Sequence, residues 1–195
     1  MDIKFVIALI ASALLIIGYI PYFRDTFAKK TKPHLFTWLI WGITQGTATV
    51  ALLYGGGRFG SVALIIGTLL VLFIFLLSFK YGTKDISKSD RLVLALALIA
   101  IIIWWQLKQP LITVFMVSAI DGLGYIPTIR KSFKDPWSET LSFWLIMAIV
   151  DCLAIASNGE YNLLTVFYLS VLGVANIIVS SVCIVRRRQK LLKQV

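Results

Sequence analysis

Apolar residues run along this chain in blocks too long for the core of a soluble domain. Uncharged stretches extend from Phe5 to Phe23, Pro33 to Gly57, Phe59 to Phe79, Leu92 to Leu107 and Tyr161 to Val185, each near or above the ~20 residues a bilayer-spanning helix needs. Two more, Leu111 to Ile129 and Leu141 to Ser157, reach that length only by enclosing one acid each, Asp121 and Asp151. The pattern predicts an all-α integral membrane protein of seven transmembrane helices, joined by connections too short to fold a domain outside the bilayer.

Composition sharpens this picture. Of the 195 residues 59% are hydrophobic and 14% charged, with a net charge of +10 and a mean hydropathy of +0.89, values that exclude a soluble enzyme. The basic residues cluster beside apolar spans rather than on one face, which reads as a topology signal and argues against nucleic-acid binding. Lys4, Arg58 and Lys108 fall on one side and the other 16 Lys and Arg on the opposite side, so the positive-inside rule puts the N-terminus outside and the C-terminus in the cytoplasm. Trp104, Trp105 and Trp137 stand at span ends, as interfacial anchors do. The apolar run after Lys4 with Ala11-Ser12-Ala13 imitates a signal peptide, but the repeat described next argues that it stays.

Shifted by 106 residues without a gap, the chain matches itself. Gly18-Tyr19-Ile20-Pro21 falls on Gly124-Tyr125-Ile126-Pro127, Arg24 on Arg130, Trp38-Leu39-Ile40 on Trp144-Leu145-Ile146 and Gly67 on Gly173, and thirteen of the 35 residues from 12 to 46 are identical. Shared apolar composition does not align Pro, Arg and Trp. Helices one to three thus correspond to helices five to seven. A helix triplet has odd parity, so the fourth helix serves as a linker that gives both copies the same orientation, a parallel repeat of the kind that holds a solute between its halves. The expected divisions are a first three-helix bundle over 1–79, a loop and linker helix over 80–108, a second bundle over 109–185 and a basic cytoplasmic tail over 186–195.

This 3+1+3 layout, the outside N-terminus and the repeated Gly-Tyr-Ile-Pro before a basic residue and an aromatic helix resemble the PQ-loop superfamily. That superfamily includes SWEET and SemiSWEET (MtN3-type) sugar transporters, cystinosin-like transporters and the KDEL receptor fold. The motif is a variant, with Tyr22 and Thr128 after the prolines in place of the family's glutamine. Sugar facilitators carry prolines in helices two and six where this chain has Trp38, Trp41 and Trp144, so the resemblance implies a carrier fold rather than a sugar substrate.

Candidate residues follow from polarity inside apolar runs. Trp38, Trp41, Gln45 and Thr49 share one helix face at spacings of three and four, and the copy reads Trp144, Met147, Asp151, Ile155. Gln45 and Asp151 lie about 15 Å from the basic helix ends, near the midplane, where a carboxylate costs about 2.5–3.5 kcal/mol on insertion scales and belongs in a cavity or beside a partner. Asn176 is the third expected substrate-binding member, with Trp38 and Trp144 either stacking on solute or packing as core. Asp151 and Asp121 are candidate proton sites. Pro21 and Pro127 read either as hinges, since each removes a helix hydrogen bond, or as simple helix ends. His34 reads as a capping or interface residue.

Neither a nucleophile with its base nor a metal-ligand set is present, no cofactor is expected, and the glycines 55–57 read as a turn. The expected function is a carrier of a small polar solute in the cell membrane of a bacterium or archaeon, working by alternating access. Membrane lipids are its surroundings and a homo-oligomer is open. The alternative is a non-transporting receptor or assembly subunit on the same fold, docking through its basic loops and Arg186 to Lys190.

Overall fold

The computed structural model describes residues 2–31, 33, 35–82, 88–107, 109–137 and 139–192. The expectations for His34 and for the side chains of Trp104, Trp105 and Pro127 fall outside that description. Among the described residues there are seven helices and no strand: α1 (Ile3–Phe27), α2 (Leu35–Tyr54), α3 (Gly60–Tyr81), α4 (Lys88–Leu107), α5 (Pro110–Lys134), α6 (Leu141–Ala156) and α7 (Leu163–Leu192). Of these, α1, α2, α3 and α7 are long and apolar enough to cross a bilayer, whereas α6 and the apolar Pro110–Tyr125 part of α5 are shorter. The chain fits a helical, membrane-embedded protein.

The helix ends have local causes. Asp2 caps α1 by accepting the Lys4 N–H at 2.9 Å, which satisfies one of the orphan donors of the first turn. Asn162 and Thr165 cap α7 reciprocally: Asn162 Oδ1 accepts the Thr165 N–H at 3.2 Å, and Thr165 Oγ1 accepts the Asn162 N–H at 3.0 Å, a capping-box arrangement. Between α2 and α3 the turn needs Gly56, whose φ is +85°, a conformation that costs a residue with a Cβ.

The basic stretch Arg186–Lys190 is helical, a continuation of α7 that runs to Leu192; Arg, Gln, Lys and Leu propagate a helix well, and cations near its C-terminus favour the dipole. Of the two readings of Pro21 the simple helix end falls, because α1 runs six residues past it to Phe27. The backbone of α5 likewise stays helical to Lys134.

Packing follows the repeat. α3 lies against α1 and α2, and α7 lies against the equivalent α5 and α6. The two triplets meet through α1 on α6 and α2 on α5, each contact the image of the other under the 106-residue shift. α4 lies outside this arrangement, on α5 and α2. Gly18 and Gly124 permit the close approach. A Cβ on Gly18 would stand 2.5 Å from the Met147 methyl, and one on Gly124 would stand 2.8 Å from Trp41 Nε1.

Polarity is inverted relative to a soluble fold. Large apolar side chains such as Leu9, Ile17, Leu69, Ile149 and Val174 face outward, while Thr44, Asp121, Asp151 and Asn176 are buried. An apolar exterior this extensive needs lipid or a partner to cover it. Most interior hydroxyls are satisfied within their own helix, as in Ser12 to the Ala8 carbonyl at 2.8 Å and Ser118 to that of Val114 at 2.6 Å, the usual local solution. The interior acids and amides have no such recourse.

Candidate functional site

Asp121 enters the interior from α5 at 2% exposure. One of its oxygens accepts the Thr44 hydroxyl of α2 and the other that of Tyr168 on α7, so both are matched to donors and three helices are tied together. The same Thr44 hydroxyl lies 3.0 Å from its own Ile40 carbonyl, an alternative acceptor for its one proton. This is a closed arrangement: charge or proton, the group is held by neighbours on each side.

Asp151 on α6 is held from one side. Asn176 Nδ2 donates to Asp151 Oδ2 at 2.8 Å, and the Tyr125 hydroxyl donates to Asn176 Oδ1 at 3.2 Å. Oδ1 of Asp151 takes no partner among the described residues, and the residue keeps 8% exposure towards the cavity that it lines with Gln45, Asn176 and Asp121. Gln45, its repeat equivalent across the interior, likewise engages no side chain. The glycines of the matching pair stand beside them: a Cβ on Gly67 would meet Gln45 Nε2 at 2.7 Å, and one on Gly173 would meet Asp151 Cβ at 3.5 Å.

The cavity has a volume of about 70 Å³ and takes its walls from α1, α2, α3, α5, α6 and α7, leaving out α4. It has room for a few water molecules, since one needs roughly 10–15 Å³ of such space. Towards the basic ends of the helices it is bordered by aromatics in a closed circuit. Ring centroids run Tyr22–Trp38 at 5.2 Å, Trp38–Trp41 at 5.3 Å, Trp41–Tyr125 at 5.4 Å, Tyr125–Trp144 at 5.8 Å, Trp144–Phe143 at 5.0 Å and Phe143–Tyr22 at 5.5 Å. These spacings lie in the range where edge-to-face pairs attract. Trp144 Nε1 donates to Glu139 at 3.2 Å, whereas Trp41 Nε1 is buried without a partner among the described residues.

At the opposite end the triplets are joined by backbone, amide and ammonium hydrogen bonds. The Gly159 N–H donates to the Gly57 carbonyl at 3.3 Å, Asn162 Nδ2 to the Gly55 carbonyl at 2.8 Å and Lys4 Nζ to the Asn158 carbonyl at 2.7 Å. At the basic end, Thr140 on the α6 side donates to Asp25 of α1 at 3.2 Å. The basic part of α7 is occupied within its own triplet: Arg186 donates to the Phe133 carbonyl at 3.0 Å, Arg187 to those of Pro136 and Glu139, both at 2.9 Å, and Lys190 to that of Lys134 at 2.8 Å.

All six residues expected to bind solute, Trp38, Trp41, Gln45, Trp144, Asp151 and Asn176, line the one cavity, and so does Asp121. Pro21 is not on its wall, and Thr49 is turned to Thr68 at 3.1 Å. Sequence reasoning missed Tyr19, Tyr125, Phe143, Thr44 and Tyr168. The repeated Gly-Tyr-Ile-Pro contained the signal for the two tyrosines, and Tyr125 stands one turn from Asp121; nothing local marks Thr44 or Tyr168. Cys152 and Cys183 form no disulfide, and no group of three potential metal ligands occurs among the described residues. No protein-family model, curated protein or solved structure matches the chain.

Proposed function

We propose that this is a seven-helix membrane carrier of the PQ-loop type, with two parallel three-helix bundles around a linker helix, an outside N-terminus and a cytoplasmic C-terminus. It moves a small polar solute by alternating access about the cavity between the bundles. The observation that carries this reading is the position of Asp151, whose unpartnered oxygen borders a central void at the junction of the two repeats. A carboxyl group retained at membrane depth is costly, and facing a void lets water or cargo offset that cost. The symmetric packing of α1–α3 and α5–α7 supports the repeat, as does α4 lying outside it. Both ends of the void are narrowed by contacts between the bundles, the kind of contacts that a gate would have to break and remake.

The receptor or subunit reading finds less support. Its expected docking surface, Arg186 to Lys190, has Arg186, Arg187 and Lys190 engaged on carbonyls at the end of α5 and in the following loop.

Uptake into proteoliposomes of sugars, amino acids and vitamins, with and without a pH gradient, tests the carrier. Asp151→Asn is expected to lower flux of the transported solute at least tenfold or to flatten its pH profile. An unchanged rate and profile removes Asp151 from the mechanism.

A further inference from the structure

We propose that the central cavity takes a compact organic cation, an ammonium group on a small apolar body that also carries a hydroxyl or carbonyl. The proposal rests on the carrier reading and specifies its cargo.

The charge argument comes first. Among the described residues no Lys, Arg or His lines the cavity, so an anionic solute meets no counter-charge from them. Two acids line it, but they differ in what they have left to offer. Asp121 has both oxygens engaged by Thr44 and Tyr168, which makes it a structural tie. Asp151 has one oxygen engaged by Asn176 and the other free, so it is the group able to accept a new donor or cation.

The walls supply the second argument. Above Asp151 towards the basic end lie the rings of Trp41, Tyr125 and Trp144, with Trp41 tilted on Tyr125 at a centroid spacing of 5.4 Å and Tyr125 edge to face with Trp144 at 5.8 Å. Aromatic faces carry negative quadrupole charge and attract ammonium groups, most strongly when desolvated. A hydroxyl-rich solute such as a sugar would find mostly rings and aliphatic side chains, and would leave many of its groups unpaired. The third argument is an unused polar group: the Gln45 amide borders the cavity and engages no other side chain among the described residues, so one hydroxyl or carbonyl on the solute satisfies it. The small volume restricts the body to a few heavy atoms.

Choline has the required combination, and 3,3-dimethylbutan-1-ol has the same shape without the charge. The test is equilibrium binding of radiolabelled choline to the full chain in detergent, competed by unlabelled choline, by its neutral isostere and by glucose. Saturable binding is expected, with the isostere and glucose competing at least tenfold more weakly. Asp151→Asn should weaken binding at least tenfold and Asp151→Glu should restore most of it, with the thermal melt of each variant showing that it is folded. The proposal is overturned if choline does not bind saturably, if the isostere or glucose competes as well as choline, or if Asp151→Asn binds like the parent. If a neutral solute crosses proteoliposomes while choline fails to bind, the cation claim falls and the carrier stands. Asp151-dependent binding with no flux of any solute reverses that outcome.

Discussion

The two halves of this protein share a scaffold and differ in what they put inside it. Every interior polar group that the second half contributes has an apolar or uncharged counterpart in the first. Asp121 corresponds to Leu15, Asp151 to Gln45, Tyr168 to Val62 and Asn176 to Leu70. What the halves keep in common is the framework that sets their spacing: Gly18 with Gly124, Gly67 with Gly173, Trp38 with Trp144 and Tyr19 with Tyr125. The comparison teaches that the symmetry belongs to the packing and the asymmetry to the chemistry, as expected when one copy of a duplication is free to specialise while both must still fit the same interface.

Making the first half resemble the second should have the largest effect. Leu15 is buried at 5% exposure, and the positions equivalent to Thr44 and Tyr168 are Val150 and Val62, so Leu15→Asp would bury a carboxyl without its hydroxyl donors. The expected loss is about 3–5 kcal/mol, read as a collapsed thermal melt or loss of monodisperse protein in detergent. The reverse change, Asp121→Leu, strands the Tyr168 hydroxyl and should cost about 1–3 kcal/mol in the same assay. If the two changes cost the same, the donors around Asp121 are not what makes that acid tolerable.

The shared glycines give a finer contrast. Gly124→Ala drives a Cβ against the indole of Trp41, a rigid group held between Trp38 and Tyr125, and should cost about 1–3 kcal/mol. Gly18→Ala meets the terminal methyl of Met147, which can swing aside, and the Cγ2 of the stiff, β-branched Ile146 at 2.9 Å, and should cost about 1 kcal/mol, the low end of the same range. The smallest effect is expected at the tyrosines. Tyr125→Phe removes the hydroxyl that donates to Asn176 and should shift stability by about 0.6 kcal/mol, the average for interhelical bonds of this kind. Tyr19→Phe should leave the melt unchanged.

Much of this arrangement was legible in the sequence because an apolar run makes each polar residue conspicuous. Asp151, Gln45 and Asn176 stood out for that reason, and the ungapped repeat paired the first two. The bonds of Asp121 were not legible. Helices apolar on every side, such as α3, carry no periodic stripe to fix which face meets which neighbour, so the meeting of Thr44, Asp121 and Tyr168 depends on helix rotations that the chain does not spell out. The aromatic circuit was half legible: Trp38, Trp41 and Trp144 were marked by spacing, while Phe143, aligned with Thr37, had no repeat to betray it. The reach of α7 past Val185 was not legible, because a basic run marks where an apolar span ends and says nothing of whether the helix goes on.

The placement of α4 breaks the two-fold balance of the flanks. It braces the seam of α2 and α5, while the equivalent seam of α1 and α6 has no such helix against it. Separation of the halves along the α1 and α6 flank breaks their direct contact alone, whereas separation along the α2 and α5 flank breaks a smaller direct contact and must also tear α4 from one of its two supports, so the linker makes good on its own side what the seam beneath it lacks.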